Sequence, residues 1–216
     1  MANLKSMASA TLIGDLVGSR SVVDRQRLHG SLQGILDEVN ARARPRSPLR
    51  ITVGDEFQGA FASVGQAVAA ALRIRLALAP AYDVRHGVGW GEVTVLVDEP
   101  RVEDGPGWWI ARKAVEAVEE AERRPATRSR RTAYRAVEGA GGPDEAAVDA
   151  ALMLRDALLD GLSERSLSVL RGLLAGSTQR EIADELGISA SAVSQRVRAD
   201  HLGALVAAER RLEELG

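Results

Sequence analysis

Two aspartates stand where a chain can hold a divalent cation. Asp15 follows the apolar run at residues 8–13, and Asp55 sits in Gly54-Asp55 between two further apolar stretches. Leu49, Ile51 and Val53 alternate as a strand, and residues 57–61 return as its partner, with the turn at Gly54-Asp55. A first strand lying beside this hairpin, about 4.8 Å away, brings both carboxylates to one site. Paired carboxylates suit Mg²⁺, which takes a few oxygen ligands and completes its shell with waters and phosphate oxygens. Gly-Asp is also a common hairpin turn, and Asp15 also suits a helix-side cap. The structural roles therefore stand beside the metal role.

Other chemistries find less support. The chain has no cysteine, which excludes disulfides, and His29, His86 and His201 are too scattered to suggest a structural zinc site. No Gly-Lys-Ser/Thr phosphate loop and no nucleophile elbow occurs. Gly87, Gly89 and Gly91 lack the strand–turn–helix context of a dinucleotide fingerprint and read as a tight hairpin. His86 is expected to pack on a sheet face, and Trp108 and Trp109 to pack in a core rather than stack on a base. Six arginines lie between residues 123 and 135 with no acid before Glu138, a pattern that usually marks a solvated surface.

The elements that must position the aspartates alternate along the first half. Residues 22–43 form a helical pattern with Leu28, Leu32, Ile35, Leu36 and Val39 on one face, ended by Pro45 and Pro48. Residues 64–78 give a second helix, residues 84–88 and 93–97 two strands joined through Gly89-Trp90-Gly91, and residues 107–121 a third helix. The order is βαββαβ, a ferredoxin-like or palm arrangement within an α+β protein. Residues 123–142 read as a basic strand or loop followed by a flexible linker. The expected division is 1–122, a palm domain; 123–142, basic segment and linker; and 143–216, an all-α domain.

The last part spells a helix-turn-helix. Thr178 with Glu181 forms a capping-box pattern, Ile182, Ala183 and Leu186 share one face, and Gly187 supplies the stop. Ser189 caps the next helix, in which Val193 and Val197 point inward. Ser189, Ser191, Ser194, Gln195, Arg196 and Arg198 are the candidate DNA-contacting residues, of types that bond to base edges and phosphates. A preceding helix starts at Ser163. Residues 162–216 carry seven arginines and eight acidic residues, so one copy should bind DNA weakly and a dimer on paired half-sites is the expected remedy. The helix expected from Leu202 to Leu215 either pairs with its twin or folds back on the bundle, the second being favoured.

Residues 162–200 resemble the helix-turn-helix of sigma-region-4-like and LuxR-type DNA-binding domains. Asp15-Leu16-Val17-Gly18-Ser19-Arg20 resembles the first metal motif of class III nucleotidyl cyclases, and residues 51–61 the second. Residues 84–93 are similar to the later glycine-bearing strand pair of those enzymes. Residues 105–112 are similar to the helix start that carries a transition-state asparagine and arginine. The resemblance implies that Asp15 and Asp55 hold metal, that the Leu16 carbonyl assists, and that Gly18, Ser19 and Arg20 line a triphosphate. Arg112 matches the arginine. Trp108 stands where the asparagine belongs, and Ile51 where a base-reading lysine is common. One lost transition-state donor typically costs about 10²–10³ in rate, which argues against an efficient cyclase but not against holding a nucleotide. Over its whole length the chain is most similar to the SatD family.

With a net charge of −2 and no apolar run of membrane-spanning length, nothing steers the chain to a membrane, and the cytoplasm is its expected location. The expectation is a dimeric transcription regulator that binds double-stranded DNA and senses a purine nucleotide with Mg²⁺. The alternative is an active two-metal cyclase or nucleotidyltransferase with a DNA-targeting tail.

Overall fold

The computed structural model describes residues 6–19 and 24–216. Strand β1 (Ser6–Leu16) is followed by α1 (Arg25–Ala43), β2 (Ser47–Val53), β3 (Glu56–Phe61), α2 (Val64–Leu78) and β4 (Val84–Val97). These elements form the expected βαββαβ sheet, in the order β2-β3-β1-β4, with every neighbouring pair antiparallel. A short β5 (Val102–Asp104) extends the edge of β4, and α3 (Pro106–Glu122) leads to β6 (Thr132–Ala136), which pairs with β4 in parallel.

The sheet is covered on both faces. Ala10, Leu12, Leu16, Phe57, Phe61, Val84 and Val88 share one apolar cluster with α1 and α2, while Ile13, Ala60 and Val93 meet Trp108, Ala111 and Val115 of α3. Two expectations change here. Strand β4 is continuous and makes no hairpin at Gly89-Trp90-Gly91, because it pairs with β1 along its length, from Ser6 opposite Thr94 to Leu16 opposite Val84. Its glycines instead form a track for α3: a Cβ on Gly87 would stand 2.3 Å from the Ala111 carbonyl oxygen, and one on Gly89 2.5 Å from the Ala111 nitrogen. The second change is narrower: residues 123–142 do supply a strand, β6, but the stretch read as a linker packs on the sheet, its Ala140 carbonyl accepting from the Trp90 indole N–H at 3.0 Å. Their arginines are mostly engaged. Arg130 is buried against Asp149, Arg131 lies 2.5 Å from Asp83, and Arg135 lies 3.2 Å from Asp149.

The remaining chain is helical: α4 (Glu145–Asp160), α5 (Glu164–Ala175), α6 (Gln179–Leu186), α7 (Ala190–Ala199) and α8 (Leu202–Glu213). It docks on α2, a helix buried almost all round, as its apolar composition requires. Val68, Ala71 and Ile74 belong to the sheet core, whereas Leu72 and Leu76 belong to the cluster formed by α5 to α8. Helix α8 folds back onto α2, and a Cβ on Gly65 would stand 2.4 Å from the Glu213 carbonyl oxygen. Buried ion pairs reinforce this docking: Arg75 of α2 donates to Asp156 of α4 at 2.7 Å, and Arg155 of α4 to Glu209 of α8 at 3.2 Å.

Candidate functional site

Strand β1 delivers Asp15 to the α3 face of the sheet, and the β2–β3 turn delivers Asp55 to its end. Gly54 takes φ +64° in that turn, the left-handed conformation that favours glycine. The Asp55 carboxylate accepts a hydrogen bond from the Leu16 backbone N–H at 3.1 Å, which places it one residue from Asp15. Burial pushes the Asp15 carboxyl above its ordinary value of 3.8, and the charges of Asp55 and Glu119 push the same way against the pull of Arg85. Two carboxylates thus crowd one corner and favour a compensating cation.

Arg85 supplies that cation. It stands directly across from Asp15 in the β1–β4 register, donates to Asp15 at 2.9 Å, and reaches Glu122 at the end of α3 at 2.6 Å. Arg112, one helical face earlier on α3, makes a two-pronged pair with Glu56 at 2.6 and 2.7 Å. That pair holds the Glu56 carboxyl below its ordinary value, the Arg112 hydrogen bond being the main cause. Sequence reasoning missed Arg85, Glu56, Glu119 and Glu122. The available signal was a charged residue inside the apolar run of β4, but its meaning depended on β4 being one strand.

The remaining expected residues fall as follows. Leu16 and Ser19 are buried, and Gly18 takes φ +69° in the turn after β1. Arg20 lies outside the described residues. Trp108 is buried against the sheet with its indole nitrogen unpartnered among the described residues, whereas the more exposed Trp109 donates to Asp104 at 2.9 Å. Ile51 is partly buried against the main core. Among the described residues no group of three or more His, Cys, Asp or Glu is arranged to hold a metal ion.

On the opposite face of the sheet, His86 is fully buried, with the Phe57 ring edge-on at 5.9 Å. Neither ring nitrogen has a partner among the described residues. Burial holds the imidazole well below its ordinary value of 6.5, and Arg155 and Arg75 push in the same direction. As the pH falls below 6.5 the unfolded chain takes up this proton and the folded chain does not. Stability present above that pH is therefore lost below it, at up to about 1.4 kcal/mol per pH unit. His86→Leu should flatten that part of the decline in urea unfolding titrations, and a slope equal to the parent's would assign the decline to other groups.

In the helical part, Thr178 and Glu181 make the reciprocal capping box, and Gly187 takes φ +64° before Ser189 caps α7. Ile182, Ala183 and Val193 are buried where α6 and α7 meet α5. Ser189, Ser191, Gln195 and Arg198 are exposed, and Arg198 donates to Ser194 at 2.9 Å. Arg196 points less freely outward than expected: it is half-buried, with its Nε enclosed and unpartnered among the described residues. No helix among the described residues is long and apolar enough to cross a membrane.

Among solved structures, the chain is similar to the guanylyl cyclase Cya2, with 16% identity and a TM-score of 0.46 over 53% of this chain and 72% of that one. It is also similar to the monomeric guanylyl cyclase domain of the RhoGC fusion protein from the aquatic fungus Blastocladiella emersonii, with 17% identity and a TM-score of 0.45 over 52% and 77%. A bacterial light-regulated adenylyl cyclase aligns at 11% identity and a TM-score of 0.49 over 62% and 44%. No curated protein matches the chain. The SatD family model matches residues 9–215, nearly the whole sequence, and the chain belongs to the SatD family.

Proposed function

We propose that this chain is a DNA-binding regulator whose first 122 residues sense a purine nucleotide with Mg²⁺ and whose residues 143–216 contact DNA. The observation that carries the reading is the placement of α2. One flank of this helix packs under β1, the strand that bears Asp15, and the other carries the α5–α7 bundle. A ligand that changed the β1 corner would act on the DNA-contacting helices through one buried element, provided it bound two arrangements with different affinity.

In this reading Asp15 and Asp55 would hold Mg²⁺, which would supply positive charge for the nucleotide phosphates. Asp15 would give up its pair with the Arg85 guanidinium to do so. Leu16, Gly18, Ser19 and Arg20 line the phosphates, and Arg112 leaves Glu56 to meet them. Ser191, Ser194, Gln195 and Arg198 on α7 meet the major groove, with Ser189 and Arg196 at its margins. A cytoplasmic homodimer doubles an otherwise weak phosphate contact. Turnover is not part of the proposal: Trp108, at the position of the missing asparagine, is buried against the sheet and offers no exposed side-chain donor in its place.

The test combines calorimetry and DNA binding on the full chain. MgATP or MgGTP should bind and shift DNA affinity, and Asp55→Asn should weaken nucleotide binding by about tenfold or more, the loss of one charged contact. Arg198→Ala should weaken DNA binding and lower the salt slope by about one. Absence of nucleotide binding at millimolar concentration ends the sensor role. DNA affinity untouched by Arg198→Ala ends the placement of α7.

A further inference from the structure

Helix α4 is turned inside out. Three of its charged residues point inward: Asp149 to Arg130, Arg155 to Glu209, and Asp156 to Arg75. Every exposed position between residues 146 and 158 is alanine or leucine, and Leu154 is 69% and Leu158 42% exposed. A helix at a solvated surface shows the opposite distribution. Ala147, Ala151, Leu154 and Leu158 recur at four-, three- and four-residue steps, the seam of a two-helix coiled coil.

Helix α8 continues the uncharged surface. It runs antiparallel to α4, since Leu212 shares a cluster with Val148 and Leu152 while Leu202 and Leu205 share one with Leu159. On the same flank as Leu212, Ala204 and Ala208 are exposed, and Arg211 follows at the end of that stripe.

We propose that this α4–α8 face is the homodimer surface, occupied by a second copy of the chain about a two-fold axis. Side-chain size selects the partner and its direction. The seam is small at one end (Ala147, Ala151) and large at the other (Leu154, Leu158), so an antiparallel copy sets each leucine pair against the partner's alanines. A parallel copy would oppose leucine to leucine and leave alanine facing alanine across a gap. Charge agrees with size. The seam carries no charge to repel its own image, and the antiparallel arrangement brings exposed Asp160 of one copy to the end that carries the partner's Arg211, where it would compete with the solvent-exposed pair that Arg211 makes with Glu214 at 3.1 Å. Glu145, at that same end, is already taken by Arg135 and by the backbone N–H of Ala136.

The inference names the surface of the dimer invoked above, and it stands or falls on oligomeric state alone, whether or not the chain binds DNA. Sedimentation equilibrium of the full chain should show a dimer at micromolar concentration. Leu154→Glu should raise its dissociation constant by at least about 30-fold, as removal of a central anchor does, with an unchanged circular dichroism spectrum. Leu96→Glu, at an exposed apolar residue of β4, should leave the dimer intact. Asp160→Arg should weaken association, and Asp160→Arg with Arg211→Asp should restore it. A monomeric parent chain, a dimer indifferent to Leu154→Glu, or a dimer lost with Leu96→Glu would each overturn the proposal.

Discussion

Replacing Asp156 by alanine is expected to cost about 3–5 kcal/mol of stability, the usual result of stripping one partner from a buried charge pair. Its side chain is fully enclosed. One oxygen accepts from Arg75 at 2.7 Å, and the other accepts from the backbone N–H groups of Arg131 at 2.7 Å and Thr132 at 2.6 Å. Removal would leave a buried guanidinium without a counter-charge and two backbone donors without an acceptor. Because those donors start β6, the parallel pairing with β4 should loosen together with the docking of α4. Asp156→Asn keeps the shape and an acceptor but not the charge, so it should recover only the backbone part. Urea unfolding measures both, and a loss below about 1 kcal/mol for the alanine variant would place the weight of the junction on its apolar contacts.

The second large effect is expected at Gly87. A methyl group there would sit 2.3 Å from the Ala111 carbonyl oxygen and 2.4 Å from the Val115 nitrogen, both backbone atoms of α3 that cannot turn aside. Gly87→Ala should therefore lift α3 from the sheet at a cost of about 3 kcal/mol, the upper end of the usual range for overpacking. Helix α3 carries Arg112, Glu119 and Glu122 to the aspartate corner, so the same change should disperse that cluster. Tryptophan emission from Trp108, which α3 presses against the sheet, should shift to the red. Gly34, on α1 with open space around its added methyl, is the control: Gly34→Ala should stabilise by about 0.5–1 kcal/mol through helix propensity. Equal behaviour of the two variants would mean that α3 yields without cost.

These two positions also mark how far the sequence could be read. Local signals carried well. The apolar face of α1, both ends of α2 and the caps at Ser163, Thr178 and Ser189 depend on neighbours a few residues away, and the structure has them. The order of the βαββαβ strands followed from their succession. Gly89-Trp90-Gly91 misled because glycine marks both a turn and a close approach, and only the presence of α3 decides between them. The arginine run misled because its counter-charges, Asp83 and Asp149, lie far off in sequence. For the candidate site, the adjacency of Asp15 and Asp55 was legible from strand succession. The arginine that neutralises Asp15 was not, since it is set by the register of a strand whose continuity was hidden.

Helix α2 has a consequence for how the molecule is assembled. With the sheet and α1 on one flank and the later helices, α8 foremost, on the other, it has almost no side of its own to show to water. Neither half can reach its final form while the other is missing, because each would leave a row of aliphatic side chains bare. The proposed division of labour between nucleotide and DNA would thus run through one shared interior. Selection on either task would have to be answered within it.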